Sequence, residues 1–287
     1  MQTSSTQFLY GKTVARTIAS NVFDALQKIP DPVVVYDVVH ENDTVGMQYV
    51  RVKGKAAGRV GIDFQTVSIS RTDTTESVCQ LVAEISGRKE CMGCIVQLPL
   101  PEYLDQEKIL SHIARDVDVD CLHPESVHDF YEGRNMFIYP TARAICALLD
   151  DIPGIPETAQ YVIVGEGMLV GRPVAHLLRL RGYTVQTVNR TTPDGDHIIK
   201  NADVVISATG RPGRIVGAGI KSGAVVIDAG TSESRGSVVG DVEYDSVDGV
   251  ASWIVPVPGG VGPVTVAMLF DNVVRAVHEK QGMPKDE

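Results

Sequence analysis

Four short apolar runs, YVIV, YTVQTV, DVVIS and AVVIDAG, lie between Tyr161 and Gly230, separated by helical patterns or glycine-rich turns. Runs this apolar and this short suit a parallel sheet covered by helices on both faces. The first run leads into GEGMLVGRP (Gly165–Pro173). VAHLLRL follows, and Val170, Val174, Leu177 and Leu178 recur there at helical spacing. A strand, a glycine turn and a helix N-terminus suggest a dinucleotide site. The glycines Gly165, Gly167 and Gly171 are spaced G-x-G-x-x-x-G, and Glu166 sits inside the turn where phosphate would come close.

The first half of the chain alternates in the same way. VVVYDVV (Val33–Val39) follows the turn pair Asp31-Pro32, and QTVSIS and GCIVQL are further short strand candidates. TVARTIASNVFDAL places Val14, Ile18, Val22 and Leu26 on one helical face. The tail VTVAMLFDNVVRAVHEK carries Val266, Leu269, Phe270, Val273, Val274 and Val277 on one stripe, and this helix is expected to pack back on the first half. The 287 residues fit about two domains. The expected fold is therefore α/β. Residues 1–142 and 265–287 would form one α/β domain. Residues 143–264 would form a Rossmann-like, doubly wound parallel-sheet domain, with a small-molecule cleft between the two.

Charge and cysteines narrow the functional classes. A formal net charge of −10 disfavours non-specific binding to nucleic acid or anionic membranes. No apolar stretch approaches the ~18 residues of a membrane span, and the N-terminus lacks the apolar core of a signal peptide. A cytoplasmic location is expected. Cys79, Cys91, Cys94, Cys121 and Cys146 are irregularly spaced, as in a reduced compartment. Cys91 and Cys94 form C-x-x-C, but no second Cys/His pair follows at zinc spacing. Ordinary buried thiols are expected, and no metal site.

Four constellations could carry chemistry. In YVRVK, Tyr49 and Lys53 are i,i+4 neighbours on one helical face, while Lys55 points elsewhere. The pair reads as an aromatic platform beside an amine, or as a basic face with one core tyrosine. In VQLPLP, a strand ends in Gln97 and is stopped by Pro99 and Pro101. A glutamine there faces the crevice where α/β ligands bind, or simply terminates the strand. In RDVDVDCLHP, the acids Asp116, Asp118 and Asp120 alternate. On an extended segment all three would share one side. The EF-hand pattern is absent, so one acid gripping a ligand's N–H groups is the better reading. PVPGGVGPVTVAML concentrates prolines and glycines before the C-terminal helix, as a ligand-facing loop would, with Pro263 just outside the helix.

Taken together, YVRVK, VQLPLP, DVDCLHP, GEGMLVGRP, ATGRPG, VVGDV and PVPGGVGPVTVAML resemble the bifunctional methylenetetrahydrofolate dehydrogenase/methenyltetrahydrofolate cyclohydrolase family, in that family's order from residue 49 to 269. The resemblance implies a folate cleft between two domains, with the dinucleotide on the second. It implies Lys53 as the catalytic amine and Gln97 as its hydrogen-bonding partner. Tyr49 would stack on the aminobenzoyl ring and Asp120 would hold the pterin edge. Leu98, Pro99 and the loop Pro258, Gly259 and Gly260 would line the folate and nicotinamide region. The nucleotide would lie on Gly165, Glu166, Gly167, Val170, Gly171, Asn189, Arg190, Thr191, Thr209, Gly210 and Thr231. A homodimer is expected on the same ground. Beside a cationic folate the Lys53 ammonium is disfavoured, so the amine is expected to be neutral for part of the cycle.

Several positions depart from the family pattern. Gly46 stands where serine is usual, and Cys121 where glycine is. YPTARA (Tyr139–Ala144) keeps only Thr141 of a family motif. Glu166 replaces a frequent arginine, which removes one anchor for a 2′-phosphate. Arg190, just after the second strand, supplies another. NADP is therefore expected as cofactor, through Arg190, with NAD as the alternative.

Overall fold

The computed structural model describes residues 5–134, 136–234 and 237–282. In chain order the strands are β1 (Gln7–Phe8), β2 (Val34–His40), β3 (Asp63–Ile69), β4 (Cys91–Val96), β5 (Gln160–Val164), β6 (Thr184–Val188), β7 (Val204–Ser207), β8 (Val225–Asp228), β9 (Ser232–Ser234), β10 (Ser237–Val239) and β11 (Trp253–Val255). The helices are α1 (Lys12–Leu26), α2 (Thr44–Val60), α3 (Thr75–Ser86), α4 (Gln106–Leu110), α5 (Pro124–Tyr131), α6 (Pro140–Asp150), α7 (Gly171–Leu180), α8 (Gly195–Lys200), α9 (Tyr244–Val247) and α10 (Val261–Gln281). The chain divides into two compact units: Met1–Ala15 with Thr141–Thr265, and Arg16–Pro140 with Val266–Glu287.

The second of these, the lysine unit, is built on a parallel three-stranded sheet in the order β3-β2-β4. The central strand β2 is buried along all seven residues, which accounts for its valine run. Its side chains alternate between faces. Val34, Tyr36 and Val38 pack with Val78, Val82 and Ile85 of α3. Val33 and Val35 pack with Val22 and Leu26 of α1, Ala57 and Val60 of α2, and Phe270 and Val273 of α10. A fully buried phenylalanine such as Phe270 contributes about 2 kcal/mol by removing its ring from water. By the same alternation Asp37 belongs to the α2 side. On α2, the buried stripe Val50, Lys53, Ala57 and Val60 includes a lysine among apolar residues.

The other unit holds a six-stranded parallel sheet in the order β1-β11-β8-β7-β5-β6. β5 pairs with β6 on one side and β7 on the other. The direction of strand progression reverses there, so the ligand crevice of this sheet lies beyond the C-terminal end of β5, at Gly165.

Three features differ from the sequence reading. Residues 5–15 belong with the nucleotide-type sheet, because β1 hydrogen-bonds to β11 and Thr6 Oγ1 donates to the Ala251 carbonyl. The hairpin of β9 and β10 and the short strand β11 carry too few residues for a period to register. Pro263 lies inside α10 rather than before it. It sits in the first turn, where backbone N–H groups have no intrahelical acceptor to lose. Among the described residues no helix is long and apolar enough to cross a membrane.

Candidate functional site

In the nucleotide-type unit the glycine turn is held closed by backbone contact. A Cβ on Gly171 would lie 1.9 Å from the Gly165 carbonyl oxygen, and Gly165 itself has φ 102°. Gly167, by contrast, faces open space. A pocket of about 430 Å³ opens here, lined among others by Gly165, Glu166, Gly167, Asn189, Arg190 and Thr209. Arg211 and Arg214 line it as well. A glycine-edged cradle with arginines at its rim fits a dinucleotide's phosphates.

Glu166 is not loose in this pocket. Thr187 Oγ1 donates to its Oε1 at 2.7 Å, and Asn189 Nδ2 donates to its Oε2. These bonds hold the carboxyl below the usual glutamate range. The turn therefore delivers an acid to the end of β6, although the strand itself ends without one. Asn189 Oδ1 in turn accepts from the Thr191 N–H and hydroxyl, both at 2.8 Å. Val170, Gly171, Thr191, Gly210 and Thr231 do not line the pocket. Val170 is the N-cap of α7, and a Cβ on Gly210 would lie 3.6 Å from the Thr231 carbonyl oxygen.

Two buried aspartates behind the pocket were not singled out in the sequence. Asp241 Oδ2 accepts from Ser207 Oγ at 2.7 Å, from the Thr209 N–H at 2.7 Å and from Thr209 Oγ1 at 2.9 Å. Its Oδ1 accepts the Arg211 N–H at 2.7 Å. One carboxylate thus fixes the loop after β7. Asp228 accepts the Tyr244 hydroxyl at 2.7 Å, and that hydroxyl oxygen accepts the Val257 N–H at 2.7 Å. This chain anchors the Pro258-Gly259-Gly260 loop. The loop also requires its glycines: Gly259 has φ 100°, and a Cβ on Gly260 would lie 2.4 Å from the Pro256 carbonyl oxygen.

In the lysine unit, α2 starts at Asp43, whose Oδ1 caps it by accepting the Gly46 N–H at 2.7 Å. A Cβ on Gly46 would lie 2.0 Å from Asp43 Oδ2 and 2.8 Å from Gln97 Cγ. Glycine, rather than the usual serine, is what this cap accommodates. Two turns on, Lys53 is only 7% exposed. Its Nζ donates to Gln97 Oε1 at 3.0 Å and lies 2.6 Å from Asp37 Oδ2. Gln97 is placed by its own N–H, which continues the β4–β2 ladder onto the Val38 carbonyl at 2.8 Å. Asp37 is fully buried, and its Oδ1 has no hydrogen-bond partner. Burial raises the Asp37 carboxyl above its usual range, and Lys53 pulls it back. Tyr49 is half-buried one turn before Lys53, and Lys55 is exposed.

The three alternating acids do not share one side, because the segment is not extended: Arg115–Val117 forms a 3-10 turn. Asp116 pairs with Lys280 at 3.3 Å. Asp118 is buried and accepts the Leu122 and His123 N–H groups, each at 2.9 Å, and burial raises it to about 7. Asp120 is the acid that faces the amine. Burial raises it to about 6, with Lys53 lowering it and Asp37 raising it. Cys121, in the family's glycine position, has φ 60°, the left-handed region that favours glycine. Leu98 is half-buried and Pro99 exposed directly after Gln97. All five cysteines are free and buried, and no metal-holding cluster occurs among the described residues.

Lys53, Gln97, Asp120 and the unforeseen Asp37 therefore form one centre. A signal for Asp37 was present in the sequence: an acid inside an apolar strand, and a lysine inside an apolar helical stripe, each needing a partner.

A nucleotide crevice at a sheet switch point and a buried lysine–carboxylate–amide centre define a dinucleotide-dependent α/β enzyme. Residues 9–120 match the tetrahydrofolate dehydrogenase/cyclohydrolase catalytic domain, and residues 139–281 match the NAD(P)-binding domain of the same family. The "Bifunctional protein FolD" of Acetivibrio thermocellus is 38% identical over 241 residues, covering 83% of this chain and 84% of that one. Its namesake from Staphylococcus carnosus is 33% identical over 282 residues, covering 96% and 99%. The Trypanosoma brucei methylenetetrahydrofolate dehydrogenase-cyclohydrolase, solved with NADP and an inhibitor, superposes with a TM-score of 0.89 at 33% identity, covering 96% of this chain and 98% of that one. The chain belongs to the tetrahydrofolate dehydrogenase/cyclohydrolase family.

Proposed function

We propose that this protein oxidises 5,10-methylene-tetrahydrofolate to the 5,10-methenyl cation and hydrolyses that cation to 10-formyl-tetrahydrofolate. The observation that carries the hydrolytic half is the buried Lys53 amine, fixed by Gln97 at 3.0 Å. In the first half, the nicotinamide ring accepts a hydride from the bridging methylene. The protein's part there is positioning, through Tyr49 against the aminobenzoyl ring, Asp120 at the pterin edge, and Leu98, Pro99 and the Pro258–Gly260 loop along the reacting groups. In the second half, a water oxygen bonds to the methenyl carbon and Lys53 Nζ takes one of its protons. The C–N5 bond then breaks, N5 gains a proton, and one proton is released overall. Gln97 holds Nζ in register for both transfers.

NADP is the proposed cofactor, with Arg190 at the pocket rim meeting the 2′-phosphate. NAD is the second reading, favoured by the Glu166 carboxylate at the end of β6, where an acid would bind ribose hydroxyls. The proposal extends to a cytoplasmic homodimer, for which light scattering should give the mass of two chains.

One spectrophotometric assay tests the function: methenyl-tetrahydrofolate appears, then disappears. Lys53→Gln should bind folate but abolish the disappearance. Full cyclohydrolase turnover in that variant would sink the assignment.

A further inference from the structure

The Lys53 centre contains an acid that the proposed chemistry does not use. β2 is otherwise a valine-rich strand buried on both faces, and a carboxylate in such a strand is costly unless paired. Among the described residues, the cation in contact with it is the Lys53 ammonium, 2.6 Å away on the facing stripe of α2. Both groups are nearly shut off from water, so the Coulomb attraction between them is weakly screened.

We propose that Asp37 is a positioning residue for the hydrolytic reaction: the buried counter-ion that sets the charge on Lys53 and so the pH range over which Nζ can take a proton from water. This rests on the reading of Lys53 as the acid/base.

Among the described residues, the titratable groups around the pair come from α2, the turn after Val119 and β4. From α2 comes Lys53 itself. From the turn after Val119 comes Asp120, raised by burial and by Asp37 and lowered by Lys53. From β4 comes Cys94, whose thiol burial keeps protonated. Gln97 is neutral. Of the two acids, Asp37 is the one in direct contact with Nζ and cannot be displaced by substrate, because it lies inside the sheet. Asp120 is half-buried and belongs to the proposed pterin contact. The resting Nζ is thus held by the pull of an acid within the protein core. Binding of the methenyl cation acts against that pull.

The sign follows from the Coulomb interaction. An adjacent anion favours the charged amine, so removing it lets Nζ lose its proton at lower pH. In Asp37→Asn the acid limb of the cyclohydrolase pH profile should move down by about one unit or more. The pH midpoint for covalent labelling of the Lys53 amine, read by mass spectrometry, should move down with it. Asp37→Val continues the strand's own valine run, tolerates burial, and should give the same two shifts. The dehydrogenase profile, which needs no proton at Nζ, should move less than the cyclohydrolase profile in both variants.

An unmoved labelling midpoint and acid limb in either folded variant would overturn the role of Asp37. Lys53→Gln separates this outcome from failure of the functional reading. If Lys53→Gln loses cyclohydrolase activity while the Asp37 variants keep the wild-type profile, the counter-ion role alone is wrong. If Lys53→Gln keeps full activity, the acid/base reading falls and the counter-ion role falls with it.

Discussion

Asp241 offers a quantitative test of how the nucleotide pocket is held. Four donors converge on its carboxylate: Ser207 Oγ, the Thr209 N–H, Thr209 Oγ1 and the Arg211 N–H. Asp241→Asn keeps the shape but replaces one acceptor with an N–H₂ donor. The cheaper orientation keeps oxygen on Ser207 and Thr209 and turns nitrogen toward the Arg211 N–H. That loses one charge-assisted bond, a cost of about 1.5–3 kcal/mol. The opposite orientation would lose three bonds and is not expected. Asp241→Ala leaves two backbone N–H groups and the buried Ser207 hydroxyl without this acceptor, at about 1–3 kcal/mol for each group that stays unsatisfied, so about 3–9 kcal/mol if all three do. Urea unfolding measures these losses. Calorimetric titration with NADP measures the consequence for the loop, where Thr209 and Arg211 line the pocket. The alanine variant should bind nucleotide at least several-fold more weakly than the asparagine variant. If Asp241→Asn unfolds within about 0.5 kcal/mol of wild type and binds NADP equally well, the carboxylate does not organise this loop, since even one lost bond should exceed that margin.

Arg190→Ala should shift the NADP/NAD preference toward NAD, and Glu166→Arg should tighten NADP; an unchanged affinity ratio for Arg190→Ala would remove that residue from the 2′-phosphate. Gly171→Ala drives a Cβ against the Gly165 carbonyl and should cost about 1–3 kcal/mol, whereas Gly167→Ala meets nothing within 4 Å and should leave unfolding unchanged while weakening nucleotide binding. Asp118 titrates at about 7 in the folded protein, above its unfolded value, so its contribution is fully present below ~pH 4 and is lost as pH rises through 7. The stability of Asp118→Asn relative to wild type should therefore improve between those pH values, and a flat difference in urea unfolding would contradict the burial argument.

The long periodic elements were legible because period alone specifies them. The runs YVIV, YTVQTV, DVVIS and AVVIDAG became β5 to β8, and the tail stripe became α10. Lys53 and Gln97 could be marked individually, but their meeting depends on how α2 crosses the sheet, which no local pattern states. Asp37 stands out within VVVYDVV as an acid in need of a partner, but that partner lies on a different element, so the pairing could not be read from the strand. The aspartates of RDVDVDCLHP show the opposite failure. Alternation suggested one shared face, but a single tight turn separated Asp116, Asp118 and Asp120 into an ion pair, a backbone anchor and a neighbour of Lys53. Glu166 combined the two cases, since its place in the turn was plain and its delivery to the end of β6 was not.

The interleaving of the two units sets an order of assembly on the ribosome. The strands β5 to β8 are contiguous in the chain and can pair as soon as they emerge. The sheet of the lysine unit is made earlier, yet its core includes Phe270, Val273 and Val277. Until those residues are synthesised, Val33, Val35 and Ile95 lack part of their apolar cover. The unit whose sheet is made first is thus completed last, and its exposed face must wait through the synthesis of most of a second sheet. Closing β1 onto that second sheet spans nearly the same distance, as the Thr6–Ala251 bond joins residues 245 positions apart. Late closure of this kind makes the last helix a point at which truncation is felt throughout the lysine unit rather than at its edge.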